Sequence, residues 1–288
     1  MNSLKISEDD SRKYLLASRS INIVDNSDLY DVGCQHSIYS KIRLASPHNY
    51  DFLVSRVLCS LSKKPYYVHI SGIDSDTLEY FLLSLSYALG DVMEPYKKAW
   101  SQLIQPITPG NDIIFRGKSL VESFHSDSTD WNAPNDITLL ACKKANNGLL
   151  EGTKILDIDT IESDLIHYLT RAELKIIRTK YLPWPIAKEL GGNCIYKPIL
   201  DRSYIRWSLH LLCQGVVEYG YYISPSTLKI LNKLDYILNN RLLSEEVSMQ
   251  DGDILILSNK RCLHARVHIE DKIKSSRLLL RTKVNYRK

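Results

Sequence analysis

The stretch Gly252-Asp253-Ile254-Leu255-Ile256-Leu257-Ser258 constrains this chain most. A continuous apolar run of four residues, closed at both ends by turn-forming residues, is too short for a helix and reads as a buried strand. The sequence beyond it keeps the same character. Ser258-Asn259-Lys260 marks a turn, Cys262 to Ile269 a strand carrying His264, and Glu270-Asp271-Lys272 a polar hairpin. From Ser276 to Val284, Arg277, Leu279, Arg281 and Lys283 alternate with Leu278, Leu280, Thr282 and Val284. Period two puts Arg277 and Arg281 on one face and the apolar set on the other.

Upstream, strands and helices are both expected. Tyr66 to Ser71 is a short strand stopped by Gly72, with His69 a packed residue within it; Asp136 to Cys142 and Thr153 to Asp157 are two more, and residues 194–207 contain others. Leu78, Phe81, Leu82, Leu85 and Leu89 recur at helical spacing, so 77–89 is a helix, capped by Asp74 or Asp76 and ended by Gly90. Residues 1–65 are expected to hold short helices and irregular segments. Helical insertions are expected at about 159–180 and 225–242, the second capped by Ser224 or Ser226. With no repeat and no linker inside 120–285, the 288 residues are expected to form one domain, of which 66–288 is the β core.

Charge and cysteine usage narrow the partners. The 37 basic and 33 acidic residues are scattered, without the concentrated stripe that nucleic acid requires, so a small molecule is the expected partner. No apolar run approaches the ~18 residues of a membrane span. The N-terminal stretch carries Glu8, Asp9 and Asp10 and lacks the apolar segment of a secretory signal. Six cysteines lie far apart with no Cys-x-x-Cys pair, which reads as buried reduced thiols in a cytoplasmic protein.

The chemistry is carried by Ser123-Phe124-His125-Ser126-Asp127 and the distant His264. On a strand, residues i and i+2 share a face, so His125 and Asp127 can reach one metal, whereas a helix would turn them ~200° apart. Two imidazoles and one carboxylate on one face of an octahedral ion, with the other face open, are the ligand set of non-heme Fe(II) oxygenases. Iron that also holds a keto dicarboxylate needs a fixed cation at the acid's far end. Arginine's planar fork suits a carboxylate, and Arg277 lies on the adjoining strand.

These residues resemble the TauD/clavaminate synthase-like family of Fe(II)- and 2-oxoglutarate-dependent dioxygenases, whose pattern is His-x-Asp/Glu, a Thr on a following strand, and a distal His trailed by two arginines four apart. The resemblance runs from about Tyr66 onward and is strongest over 123–157 and 251–283. It implies a double-stranded β-helix, the cupin-like jelly roll, as a mainly β, α+β core with helices packed outside. It implies that His125, Asp127 and His264 ligate iron, that Thr153 and Arg277 hold the distal carboxylate of 2-oxoglutarate, and that Arg281 lies beside cosubstrate or substrate. O2 is the second cosubstrate. Asp127 itself favours hydroxylation over halogenation, since halogenating relatives replace that carboxylate by a small residue.

The implied reaction oxidises a C–H bond of a small, amino-acid-like metabolite, free or carrier-bound, in specialised metabolism, with release of succinate and CO2. Desaturation or cyclisation would use the same residues. Arg116, Asp130, Trp131 and Arg206 are the candidate substrate contacts. Two readings compete: a jelly-roll protein that binds a small molecule without oxidising it, and a zinc hydrolase, which gives no account of Arg277.

Overall fold

A computed structural model describes residues 2–22, 26–93, 103–108, 114–115, 118–119, 123–129, 131, 133–145, 152–161, 173–177, 194–201, 204–209, 211–212, 222–238, 244–267 and 276–287. The helices are α1 (Glu8–Arg19), α2 (Val32–Ala45), α3 (Pro47–Leu61), α4 (Leu78–Leu89) and α5 (Pro225–Leu238). The strands are β1 (Ser3–Lys5), β2 (Tyr67–Ser71), β3 (Asp91–Val92), β4 (Gln105–Ile107), β5 (Ile114–Phe115), β6 (Lys118–Ser119), β7 (Ile137–Lys144) and β8 (Gly152–Asp157). They continue as β9 (Glu173–Ile177), β10 (Cys194–Pro198), β11 (Leu200–Asp201), β12 (Tyr204–Ile205), β13 (Glu245–Ser248), β14 (Ile254–Ser258), β15 (Cys262–Arg266) and β16 (Leu278–Asn285).

The molecule is a mixed assembly of helices around antiparallel-rich sheets. The larger sheet runs β1-β2-β14-β7-β16-β3, with β4 also on β16, and all its pairs are antiparallel except β1 with β2. A smaller sheet runs β13-β8-β15. Alternation along β14 explains the layering. Ile254 and Ile256 join the cluster formed with α1–α4, whereas Leu255 and Leu257 join Tyr67, Leu140, Ile155, Val247 and Leu279 from both sheets. All five residues of β14 are buried because both faces are covered. Outside the smaller sheet, Leu156, Leu263 and Ala265 pack with Trp207 and with Leu231, Leu234 and Leu238 of α5.

The residues before 66 form longer helices than expected: α1, α2 and α3 have 12, 14 and 15 residues. Each start has a physical cause. Ser7 accepts from Asp10 N at 3.1 Å, Asp31 accepts from Cys34 N at 2.9 Å, and Pro47 takes the first turn of α3, where its missing N–H costs nothing. Helix α4 begins without the expected cap. Thr77 precedes it with no side-chain capping bond, its Oγ1 meeting Ser18 Oγ at 2.9 Å instead, and the Asp74 carboxylate accepts from Asp76 N at 2.8 Å, closing a local turn. The expected insertion at 159–180 is not uniformly helical: Ile158–Thr160 is one short 3-10 turn, and β9 pairs antiparallel with β10, while 162–172 lie outside the described residues.

Two glycines set close approaches. A Cβ on Gly90, at the end of α4, would lie 2.1 Å from the Asn285 carbonyl oxygen, so helix and β16 meet here only without a side chain. Gly252 has φ +84°, and its Cβ would lie 1.8 Å from the Ile73 carbonyl oxygen. This turn delivers the chain into β14, and Gly252 N donates to Cys142 O at 2.9 Å. Among the described residues no helix is long and apolar enough to cross a membrane.

Candidate metal centre

His125 and His264 face one another as a two-residue ladder. His125 N donates to His264 O at 3.0 Å and His264 N to His125 O at 2.9 Å, and their rings lie 4.5 Å apart between centroids. His264 sits in the middle of β15. His125 is not part of a regular strand: it forms isolated bridges to His264 and Ser208, and Asp127 opens a turn in which Ser128 has φ +54°. The strand expected for Ser123 to Asp127 is therefore corrected to a bridge followed by a turn. The cause is Asn259. Its Oδ1 accepts from Asp127 N at 2.7 Å and its Nδ2 donates to Asp127 O at 3.0 Å, replacing the strand neighbour that Asp127 lacks.

The turn brings the carboxylate back to the imidazoles. One ligand atom each from His125, Asp127 and His264 lie within 4.8 Å of one another, and His264 Nε2 is 3.9 Å from Asp127 Oδ2. Since a carbonyl can only accept, His125 Nδ1 donates to Ser123 O at 2.9 Å, leaving the Nε2 lone pair for a ligand. His264 Nδ1, buried, meets no partner among the described residues. Burial holds both imidazoles below their ordinary pKa, that of His264 at about 3, so both are neutral near pH 7 as ligands must be. Burial pushes the Asp127 carboxyl up, but Arg281, Lys283 and the imidazoles together hold it well below the usual carboxylate range. The His264–Asp127 contact is thus a polar one and not an ion pair.

Asp127, 4 % exposed, is held from every side. Thr138 Oγ1 donates to Oδ2 at 2.8 Å and Arg281 Nη1 to Oδ1 at 2.7 Å, while Lys283 Nζ stands 3.7 Å from Oδ1. Asn259 Nδ2 also donates to Asn135 O, and Asn135 Nδ2 donates to Thr138 Oγ1, which links backbone and carboxylate support in one network. Gln105 Oε1 accepts from Arg281 Nε at 3.2 Å and Nη2 at 2.8 Å, and so fixes the guanidinium plane. One cavity is lined by His125, His264, Thr153, Arg277 and Arg281, with Ile107, Leu140 and Leu279 as its apolar wall. Arg277 is 2 % exposed and its Nη1 lies 3.4 Å from Gly152 O.

The substrate candidates fare unevenly. Arg206 is fully buried, and its Nη1 donates to the carbonyls of Thr129, at 2.6 Å, and Trp131, so it braces the turn after Asp127 and is not in the cavity wall. Trp131 closes that turn through its N–H to Ser128 O at 3.0 Å. Arg116 and Asp130 lie outside the described residues. Four supporting residues escaped sequence reasoning. Asn259 read only as a turn residue and Thr138 as a strand residue, and Gln105 and Asn135 carried no signal. A polar residue inside an apolar strand was the available cue for Thr138.

No protein-family model matches the sequence, and no curated protein matches it. Solved structures do. Asparagine oxygenase in complex with Fe(II), 2S,3S-3-hydroxyasparagine and succinate matches with a TM-score of 0.78 at 15 % identity, over 99 % of this chain and 94 % of that one. The non-heme iron oxygenase OrfP in complex with Fe, succinate and (3S)-hydroxy-L-Arg matches with a TM-score of 0.74 at 16 % identity, over 100 % and 95 %. The chain has the fold of these non-heme iron oxygenases. Its jelly-roll core and flanking helices are those expected from the sequence. In the same fold, OrfP also matches in its complex with Fe and alpha-ketoglutaric acid, with a TM-score of 0.71.

Proposed function

We propose that this chain is an Fe(II)- and 2-oxoglutarate-dependent dioxygenase that hydroxylates a C–H bond of a small, amino-acid-like metabolite in specialised metabolism. One observation carries the reading: two neutral imidazoles that line a cavity with Thr153 and Arg277 converge with a buried carboxylate. The donor set fits iron, being three N/O ligands with the Nε2 lone pair of His125 already directed by Ser123 O. Iron bound there supplies the oxidising chemistry that couples O2 and 2-oxoglutarate to C–H oxidation, with succinate and CO2 as coproducts.

The chain's residues do the rest. His125, Asp127 and His264 hold the metal; Thr138 and Asn259 keep Asp127 in place. Arg277 and Thr153 receive the distal carboxylate of 2-oxoglutarate, a charge-assisted contact beside the apolar wall of Ile107, Leu140 and Leu279. Arg281, its plane set by Gln105, serves the cosubstrate or a substrate carboxylate. Trp131, Arg116 and Asp130 remain candidates for the substrate wall, and Arg206 acts through the turn it braces. The amino-acid products bound by asparagine oxygenase and OrfP support an amino-acid-like substrate, free or carrier-bound.

Anaerobic addition of Fe(II) and 2-oxoglutarate should give a visible metal-to-ligand charge-transfer band, lost in Asp127→Ala and weakened in Arg277→Ala. A screen of amino acids for succinate formation then finds the substrate class. A folded protein that gives neither band nor succinate would overturn the reading.

A further inference from the structure

The buried carboxylate at the metal centre faces two cations, and one of them has no evident task in holding it. Every positioning contact of Asp127 is already made: Oδ2 by Thr138 at 2.8 Å, Oδ1 by Arg281 at 2.7 Å, and backbone N and O by Asn259. Lys283 Nζ, at 3.7 Å from Oδ1, is beyond hydrogen-bond reach and acts on the carboxylate by charge alone. It donates to Ser128 Oγ at 3.1 Å, on the left-handed residue that follows Asp127. The side chain is 15 % exposed, so charge is focused here with little water to screen it.

We infer that Lys283 is the counter-cation of the metal-free centre and couples metal binding to anion binding. This rests on the proposed reading of His125, Asp127 and His264 as metal ligands. Without metal, Lys283 and Arg281 neutralise Asp127. A divalent metal on the same carboxylate meets both cations as like charges, so Lys283 lowers the affinity for metal alone. A dicarboxylate in the cavity offsets that excess of positive charge, and the metal is held firmly only when the anion is present. The lysine therefore biases the centre against retaining metal without its organic acid. Ser128 Oγ gives the ammonium a place to remain when the metal arrives.

The test titrates Mn(II), read by loss of the free-ion EPR signal, into wild type, Lys283→Met, Lys283→Gln and Lys283→Arg, each with and without succinate. Lys283→Met and Lys283→Gln should bind Mn(II) alone about tenfold more tightly than wild type, an effect of removing one nearby like charge. Lys283→Arg, which keeps the charge, should stay within about threefold of wild type. Succinate should tighten Mn(II) binding in wild type at least about threefold more than in the two neutral variants. Neutral variants that bind Mn(II) no more tightly than wild type, or an equal succinate effect in all four proteins, would sink the inference while leaving the metal centre standing. A folded wild type whose Mn(II) titration matches that of His264→Ala removes the metal-centre reading, and this inference with it. Thermal melts of each variant check folding, and if Lys283→Met melts early, the Gln and Arg variants carry the comparison.

Discussion

Asn259 shows how a turn residue can decide the geometry of a site. It is 1 % exposed, and its amide satisfies both backbone groups of Asp127 as well as Asn135 O. Replacing it by Ala leaves buried polar groups unpaired, at about 1–3 kcal/mol each. Asn259→Ala should therefore lower unfolding free energy by about 3 kcal/mol in urea titration and weaken metal binding by ~10-fold or more. Asn259→Asp should not rescue it, because a carboxylate cannot donate to Asp127 O or Asn135 O. Thiols give a second residue-scale expectation. Burial pushes the Cys142 thiol up to about 11 and raises that of Cys262, whereas Cys59 is exposed. Alkylation followed by peptide mass spectrometry should label Cys59 in the folded protein, and Cys142 and Cys262 only after unfolding. At this scale the three residues that converge were legible and their support was not. His125, Asp127, His264 and Arg277 are chemically unusual residues at recognisable spacings. Asn259 and Thr138 are ordinary polar residues whose meaning comes from partners far away in the sequence.

Elements were legible where their period was strong. The helical recurrence of 78–89 and the apolar run of β14 located their elements because packing against both faces leaves a pattern in the sequence. The N-terminal helices were underestimated because their buried stripes are interrupted by tyrosines and polar residues. The junction of those helices is tied by Asp10, which accepts from Ser7 and Ser46 hydroxyls at 2.6 Å and from Asn49 at 2.9 and 3.0 Å. Burial raises its pKa, but these donors hold it below the ordinary value. A carboxyl lowered on folding contributes stability that is full above its unfolded pKa, near 4, and is lost as pH falls through the folded value. Urea titrations at pH 7 and pH 3 should therefore show a steeper acid loss in wild type than in Asp10→Asn, with the variant less stable at pH 7. At the sheet, Ile256→Ala should cost about 2–5 kcal/mol by the same measurement, since it opens a cavity between β14 and the helices.

At the scale of the whole molecule, the layers place the site between the two sheets: Leu140, Leu279 and Arg281 come from the larger and Thr153 and His264 from the smaller. Metal bound at the proposed site would join both sheets and should stabilise the entire fold. At a free concentration of about 100 times its Kd, Mn(II) should add about 2.7 kcal/mol, seen as a higher melting midpoint in calorimetry that is absent in His125→Ala/His264→Ala. The layered fold followed from strand patterning and the family resemblance, and β10 falls where strands were expected, whereas β9, within the expected helical insertion, gave no such pattern.

The Asp127–Asn259 bonds span 132 residues. A nascent chain emerging from the ribosome therefore carries His125 and Asp127 long before it carries the amide that shapes them or the histidine that completes the set. Until β14 and β15 are synthesised and docked, His125 and Asp127 lack the partners that shape the cluster, and such non-local pairings are formed late relative to local contacts. The proposed metal site is thereby absent from a half-made protein by the order of its own synthesis.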